Sequence, residues 1–280
     1  MGCDASEAPA GIETSGIDDA GPLEFRCASG DIPGIGGLNA VTINGSASIE
    51  GRYGAFDLFS NGDVAVAGTA TVHGGIYSAG ATVELFDTAT VTGEFSSSGV
   101  TIPNWIPEAE VAYIARYQRN RDLWRTRYGR DPTYDNNSRF RLYNGDRIDV
   151  PSGLYYFNSL SVTGRSRMRV TGTVYMVVDG PITFSGRSSL EVQDAGRLLI
   201  IGTSGDAIRI SGGSNVTARI YAPDAPVVIS GTDTHFTGGV VGGTLQMSGS
   251  STMEVRRPKT QVRTQRSNRA PRGNRGGPVR

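Results

Sequence analysis

Four aspartates come nearest to a catalytic arrangement in this 280-residue chain. Asp224 and Asp233 lie nine positions apart, and glycoside hydrolysis needs two carboxylates that flank the scissile bond. Asp194 and Asp206 lie, like the first two, in short stretches that contain glycine or proline. Each of the four lies within two residues of a glycine or a proline, which is typical of an aspartate in a turn. We therefore interpret these carboxylates as turn residues and predict that the protein is not an enzyme.

The chain has only two histidines, His73 and His235, and neither has a cysteine or carboxylate at the spacing of a metal-binding motif. The stretch GDRID at 145–149 matches only a fragment of a calcium-binding loop. The sequence also lacks a nucleophile elbow, a phosphate-binding loop and a dinucleotide fingerprint. These patterns predict no metal site and no cofactor.

Two threonine pairs form a candidate ligand-binding face: Thr69 with Thr71, and Thr88 with Thr90. Alternate residues of a strand point to the same side, so each pair places two hydroxyl groups on one face. A flat face of this kind would suit a repetitive ligand such as ice or a glycan. The alternative interpretation is that threonine is simply favoured in strands, and the sequence shows no third pair.

These threonines lie next to a phrase of β-branched residues that ends in glycine and recurs along the chain. The 39 glycines are about twice the usual share of roughly 7%. Apolar and polar residues alternate within each phrase, as in 41–50, which indicates strands with one buried face. The glycines that end the phrases are Gly45, Gly68, Gly93, Gly164, Gly186, Gly212, Gly231 and Gly249.

The spacing of these glycines, mostly 18–26 residues, indicates stacked supersecondary units. Because the repeat regions lack helix-forming stretches, successive strands cannot be joined by helical crossovers. We therefore predict an all-β fold, a parallel β-solenoid over residues 38–255, with right-handed connections expected. An antiparallel sandwich stays an alternative, since Asn-Gly pairs such as Asn44-Gly45 could form hairpin turns.

Residues 103–148 depart from the repeat. Pro107 suits the first turn of a helix, Gly129 suits its end, and aromatic residues recur between them at helical spacing. This pattern predicts one inserted α-helix over about 105–129, followed by a polar loop at 130–147. The arginines of this stretch could form a polyanion-binding face. The interpretation we favour is a solvated helix face, with the aromatic stripe packed on the solenoid.

The two ends of the chain carry opposite charge. Residues 1–31 hold seven acids and one arginine, and the segment 1–37 is predicted to be flexible. Cys3 follows Gly2, so it is a candidate lipidation site, either in a myristoylation pattern or as the first residue of a processed lipoprotein. The alternative is a polar N-terminus without a modification.

Residues 256–280 hold nine basic residues and no acid. Because they offer almost nothing to bury, we predict a disordered tail. We expect this tail to bind an anionic polymer or surface, or to act only as a solubilising extension. Its basic residues are Arg256, Arg257, Lys259, Arg263, Arg266, Arg269, Arg272, Arg275 and Arg280.

The phrase IYAPDAPVVISG at 220–231, together with the strands at 151–186 and 196–205, resembles an uncharacterised bacterial β-solenoid domain. That domain occurs in cell-surface proteins and in PilX-type pilus-assembly proteins, and it is similar in style to the polymer-forming bactofilins. The resemblance covers roughly 38–255. It implies a cell-surface or filament-associated structural protein, although the pilin-like helix of pilus-associated members is missing from this sequence.

The predicted function is therefore a non-catalytic structural protein of a cell surface or extracellular filament, with itself as a partner through the solenoid ends or sides. Open strand edges at the ends of a solenoid favour such self-association. The alternative function is a binding module for a repetitive ligand on the threonine face.

Overall fold

The structure is a computed structural model, and it describes residues 35–51, 56–79, 82–96, 139–193 and 197–255. These residues form strands joined by short turns, and no α-helix occurs among them. None of them forms a helix long and apolar enough to cross a membrane. The strands stack as a parallel β-solenoid of about eight turns.

The N-terminal block, residues 35–96, contains nine strands: β1 (Ile35–Ile43), β2 (Ser48–Gly51), β3 (Phe56–Ser60), β4 (Asp63–Val66), β5 (Thr71–Val72), β6 (Gly74–Ser78), β7 (Val83–Leu85), β8 (Thr90–Val91) and β9 (Phe95–Ser96). The C-terminal block, residues 139–255, contains the other strands: β10 (Arg139–Leu142), β11 (Arg147–Val150), β12 (Gly153–Phe157), β13 (Ser159–Val162), β14 (Arg167–Val170), β15 (Val174–Val178), β16 (Ile182–Phe184), β17 (Ser189–Val192), β18 (Leu198–Gly202), β19 (Ile208–Ile210), β20 (Asn215–Ser230), β21 (His235–Ser248) and β22 (Thr252–Val255).

Each turn contributes to three faces. Counted from the first turn of the C-terminal block, face A contains β10, β13, β16 and β19, face B contains β11, β14 and β17, and face C contains β12, β15 and β18. The long strands β20 and β21 bend at the corners and contribute to all three faces.

The order of the stack differs from the order of the chain. One edge of β1 pairs with β21, and its other edge pairs with β3 and β4. Likewise, β2 lies between β22 and β5. The N-terminal block therefore stacks on the C-terminal turn of the solenoid, along a seam formed by β1 and β2 with β21 and β22. The stack ends with β7, β8 and β9 at one end, the apical end, and with β10, β11 and β12 at the other, the basal end.

The interior consists of apolar ladders, because alternate residues of every strand point inward. Equivalent residues stack from turn to turn at the roughly 4.8 Å spacing of paired strands. Burial of each aliphatic side chain contributes about 1.5–3 kcal/mol. One ladder of face A, from the basal end upward, is Phe140, Leu160, Ile182, Ile208, Val227, Leu245, Val41 and Val64, all buried.

The recurring glycine lies at the corner between faces A and B. Gly186 has a φ of 68°, and a Cβ there would lie 2.9 Å from the Gly164 nitrogen of the turn below. Gly45 has a φ of 71°, and a Cβ there would lie 3.0 Å from the Gly249 nitrogen on the other side of the seam. This corner therefore needs glycine for two reasons, its left-handed backbone and the close approach of the next turn. The corner column is Asn144, Gly164, Gly186, Gly212, Gly231, Gly249, Gly45, Gly68 and Asp87.

The outer side of face C is apolar as well. Side chains that point away from the interior here are nonetheless buried, so this face offers no flat exposed surface. They are Val177, Leu199, Ile201, Tyr221 and Val241.

The structure confirms the predicted parallel β-solenoid and corrects the rest of the predicted fold class, because the described residues contain no α-helix. The helix predicted over about 105–129 lies outside the described residues, as do most of the segment 1–37 and the tail 256–280. Two predicted boundaries also differ. The strand β10 falls inside the loop predicted at 130–147, and β1 begins at Ile35, within the segment predicted to be flexible.

Two further expectations need correction. Gly93 was grouped with the corner glycines, but the third corner of the N-terminal block is formed by Asp87, with a φ of 58°, and Gly93 packs against Gly74 elsewhere. The order of the chain also suggests that β22, the last strand, forms one end of the solenoid. Instead β22 is an interior strand, because β2 pairs with its outer edge.

We predict that Gly186→Ala destabilises the protein more than Gly145→Ala. Both glycines have positive φ, 68° and 85°, but only Gly186 would place a Cβ against the neighbouring turn, whereas nothing lies within 4 Å of a Cβ at Gly145. The left-handed conformation alone costs roughly 1–2 kcal/mol, so we expect about that loss for Gly145→Ala and about 3 kcal/mol for Gly186→Ala. Urea unfolding of both variants measures the difference. Equal losses would show that close stacking does not constrain this corner.

A second prediction concerns Tyr155 at the basal end. Its side chain is buried, its hydroxyl donates to the Pro151 carbonyl oxygen at 2.8 Å, and burial raises its pKa to about 12. The raised pKa means that Tyr155 keeps its proton up to a higher pH in the folded state than in the unfolded state, where the pKa of tyrosine is about 10. This contribution to stability is therefore complete below pH 10 and is lost as the pH rises towards about 12. In Tyr155→Phe we expect a shallower decline of the unfolding free energy between pH 10 and 12. Identical slopes in both proteins would contradict this account.

Candidate functional site

The four predicted threonines lie together on two adjacent turns near the apical end. Thr71 pairs in register with Thr90, and the backbone N–H of Thr69 donates to the Gly45 carbonyl oxygen just as that of Thr88 donates to the Gly68 carbonyl oxygen. The four side chains therefore form two columns, one at the corner between faces A and B and one along face B.

The columns continue across the seam. Ser48 pairs with Thr71 on one side and with Thr252 on the other. At the corner, the backbone N–H of Ser46 donates to the Gly249 carbonyl oxygen, which places Ser46 beside Ser250. The resulting hydroxyl array spans four turns, and its members are Ser250, Ser46, Thr69 and Thr88 in the corner column and Thr252, Ser48, Thr71 and Thr90 in the face B column.

The array faces solvent because the residue between the two columns points inward on each turn. Ala47, Ala70 and Ser251 are fully buried, while the corner column is exposed and the face B column is exposed or half-buried. Neighbouring hydroxyls lie about 4.8 Å apart along a column, and the columns lie about 6.7 Å apart. The array is thus a regular grid about 14 Å long.

Local hydrogen bonds fix the orientation of several hydroxyls. Thr69 Oγ1 donates to the Gly45 carbonyl oxygen at 3.3 Å and lies 3.1 Å from Ser46 Oγ, and Thr88 Oγ1 donates to the Gly68 carbonyl oxygen at 3.1 Å. A hydroxyl that donates to the backbone keeps its lone pairs for a ligand. These threonines therefore present mainly acceptors and methyl groups.

The array is bounded on both sides by different chemistry. Towards the basal end, His235 Nδ1 contacts Thr252 Oγ1, and beyond it the corner positions carry the arginines Arg165 and Arg187. At the apical end, Asp87 Oδ2 accepts a hydrogen bond from the Gly68 nitrogen at 3.1 Å. The grid of hydroxyls is therefore a bounded patch: Asp233 and then the two arginines lie at the corner on its basal side, and Asp87 lies on its apical side.

Asp224 and Asp233, the candidate catalytic pair, lie at different corners of the solenoid. Asp233 lies at the corner between faces A and B, whereas Asp224 precedes the part of β20 that belongs to face A. The strand segment between them, about five residues long, separates the two corners by about 16 Å, beyond the 6.5–9.5 Å typical of an inverting glycosidase. Asp206 shares the corner of Asp224, and Asp194 lies outside the described residues.

The two histidines lie on separate turns of the solenoid. Both lie on face B, where His235 is beside Thr252 and the His73 nitrogen donates to the Ile49 carbonyl oxygen at 2.9 Å. Within the described ranges, no cluster of three or more histidine, cysteine, aspartate or glutamate side chains could hold a metal ion. Cys3 and the basic residues of the tail lie outside these ranges.

The sequence did contain a signal for the whole array. The phrase Gly/Asp-Ser/Thr-Ala/Ser-Ser/Thr occurs as GSAS at 45–48, GTAT at 68–71, DTAT at 87–90 and GSST at 249–252. The fourth copy is between 162 and 204 residues from the others in the chain, so only the seam shows that it continues the same columns.

Comparison with known proteins gives one family match. Residues 158–257 match the model of a domain of unknown function (DUF7305). This stretch covers the strands β13 to β22 and stops at the seam. The predicted relation to pilus-assembly proteins and bactofilins stays a prediction. A search of curated proteins finds no match.

Two solved structures show a distant likeness. A crystal structure of a glycosylated ice-binding protein (LeIBP) from an Arctic yeast is 12% identical, with 83% of this chain and 94% of that chain covered and a TM-score of 0.46. A second structure of LeIBP, determined for its antifreeze activity, has the same identity and coverage and a TM-score of 0.40. The strand pairing within the chain itself, not these likenesses, establishes the solenoid.

Proposed function

We propose that the protein is a non-catalytic binding module whose hydroxyl array contacts a repetitive, hydroxyl-rich ligand such as ice or a polysaccharide. The observation that carries the proposal is the regular grid of eight Ser and Thr side chains on four consecutive turns. A ligand that repeats its own hydroxyl groups can meet such a grid at several points at once. Many weak contacts made together give useful affinity without a deep pocket.

The other faces support this choice of surface. The outer side of face C is apolar and buried, and face A carries arginines at its basal end and a carboxylate, Glu84, at its apical end. On the four turns of the array, the corner between A and B offers exposed and evenly spaced hydroxyl groups. A location at the cell surface or outside the cell, as the sequence resemblance implies, is part of the proposal.

The test removes hydroxyls from the centre of the array without changing its shape. We expect Ser48→Ala combined with Thr71→Val to weaken binding about thirtyfold, because each of the two lost hydrogen bonds contributes about 1 kcal/mol. Adsorption to growing ice and to suspended cellulose, chitin and peptidoglycan is measured for the full chain. The control is Thr42→Val with Thr183→Val, two outward threonines of face A. Equal adsorption by both variants, or no adsorption of the unmodified protein to any of these surfaces, would refute the proposal.

A second candidate is the structural role predicted from the sequence, in which copies associate through the solenoid ends to build a cell-surface layer or filament. The observation that favours it is the apical end, where Leu85 and Phe86 are 42% and 48% exposed. The basal end differs, because its inward residues Phe140 and Leu142 are only 1% exposed. A contact limited to apical ends closes as a two-fold dimer, whereas a filament also needs the basal end or a lateral face.

Sedimentation velocity with negative-stain imaging of the full chain tests the structural role. We expect a monomer–dimer equilibrium that strengthens with salt, since the apical end carries like charges that salt screens. Filaments would show that the basal end or the sides take part. A monomer at every concentration and salt would exclude the structural candidate and leave the binding proposal untouched.

A further inference from the structure

The apical end of the solenoid combines three properties. First, it is open: β7, β8 and β9 pair only with β4, β5 and β6 within the described residues, so one edge of each has no strand beside it. Second, it exposes the apolar side chains of Leu85 and Phe86. An exposed strand edge beside apolar side chains is a favourable site for another chain segment.

Third, the described residues of the apical end carry negative charge and no positive charge. The described residues of the N-terminal block include six carboxylates and no lysine or arginine. Three of them, Glu84, Asp87 and Glu94, are exposed on or beside the last turn. A segment that covers this end therefore has to bring positive charge.

The chain itself contains a segment with that chemistry. Residues 256–280 hold nine basic residues and no acid. Eight of the nine are arginines, whose side chains could stack on the ring of Phe86. No other part of the sequence carries so many positive charges without an acid. The charge of the tail and the charge of the apical end are complementary.

The position where the tail begins also fits. Val255 ends β22 on face B, beside Gly51 of β2, and β5 and β8 follow on the same face up to the apical end. Three turns correspond to about 14 Å, which about five extended residues can span. Most of the 25 tail residues thus remain available at the end itself. Because the tail is attached so close by, its effective concentration at this surface is high, which favours the tail of the same chain over that of another copy.

We propose that the apical end is the docking surface for the arginine-rich tail, residues 256–280, of the same chain. The docked tail covers the open strand edges and the exposed apolar residues. An anionic polymer that captures the tail would uncover the end. This links the two partners expected from the sequence, because binding of the polymer would then permit self-association. The inference is independent of the hydroxyl array and of what that array binds.

Carbodiimide cross-linking of the full chain tests the docking directly, because Lys259 is the only lysine in the sequence. The reagent joins a lysine amine to a carboxylate in contact with it, and peptide mass spectrometry identifies the partner. We expect a link from Lys259 to Glu94, the apical carboxylate three turns above the start of the tail, within one chain at low salt, and its loss at 0.5 M salt, where the Debye length is about 4–5 Å. Links confined to Glu50 and Glu254, the carboxylates next to the start of the tail, would overturn the proposal. So would links found only between copies in a mixture of light and isotope-labelled protein.

Hydrogen exchange of the amides in 82–96 gives a second measurement. The test variant combines Glu84→Gln, Asp87→Asn and Glu94→Gln. The control combines Asp206→Asn, Asp224→Asn and Asp233→Asn, which removes the same charge from turns of the C-terminal block. The pair is matched at the corner, because Asp87 and Asp233 have φ values of 58° and 56°, which asparagine also tolerates.

At low salt we expect the apical amides to exchange about fivefold faster in the test variant than in the unmodified chain, the effect of losing a few surface ion pairs. The control should exchange at the unmodified rate. Equal acceleration in both variants, or protection that grows with protein concentration, would overturn docking by the tail of the same chain.

Discussion

The close stacking of successive turns at one corner is the constraint on which the rest of the structure depends. Turns follow one another at about 4.8 Å, and at the corner between faces A and B the backbone of one turn lies about 3 Å from where a Cβ of the next would be. Glycine fits this position and its left-handed backbone without strain, and Asp87 occupies it with a side chain that accepts a hydrogen bond from the Gly68 nitrogen of the neighbouring turn. After every glycine of this column except Gly231, the third residue that follows enters face B in the same register, and after Gly231 it is the fourth, His235. The glycine column thereby aligns the inward ladders and the outward polar positions.

The seam extends this alignment between two turns that are far apart in the sequence. The N-terminal block continues the corner column without interruption. A Cβ at Gly45 would lie 3.0 Å from the Gly249 nitrogen, and a Cβ at Gly186 would lie 2.9 Å from the Gly164 nitrogen. Nothing in the stack therefore distinguishes the seam from an ordinary junction between turns. As a consequence, half of the hydroxyl array lies on turns next to the seam and unites residues from 46–48 with residues from 250–252. The face exists only when the two blocks are docked, so loss of the seam removes the grid as well as stability.

The local features of the fold could be predicted from the sequence, but the order of the turns could not. Alternation in 41–50 and the recurring glycines correctly indicate strands, corners and a solenoid, because these features depend on neighbouring residues. Asp87 was missed as a corner because its positive φ relies on a side-chain hydrogen bond to the Gly68 nitrogen and not on the absence of a side chain. The pairing of β2 with β22 is a long-range choice. It joins two turns that would each accept any similar neighbour, so no local pattern specifies it.

For the same reason the sequence revealed only half of the candidate face. Thr69, Thr71, Thr88 and Thr90 belong to adjacent phrases and were found together, whereas Ser46, Ser48, Ser250 and Thr252 looked like ordinary turn serines and a strand threonine. Serine and threonine are common beside glycine turns, so composition alone does not separate a functional grid from turn chemistry. What separates them is register: eight hydroxyl groups become a surface only when their four turns are consecutive.

The two ends of the stack show how the same constraint is relieved. The corner column ends in Asn144 and Asp87, the two members with a side chain. A Cβ at each corner points towards the turn on its basal side, as Gly164 does towards Asn144, so Asn144 is tolerated because no described turn lies below it. At the apical end the strands shorten to two or three residues and carboxylates replace uncharged residues, both of which discourage pairing of exposed edges. The apical end is thus protected by short strands and like charges, and a partner of opposite charge can reverse the protection that comes from charge.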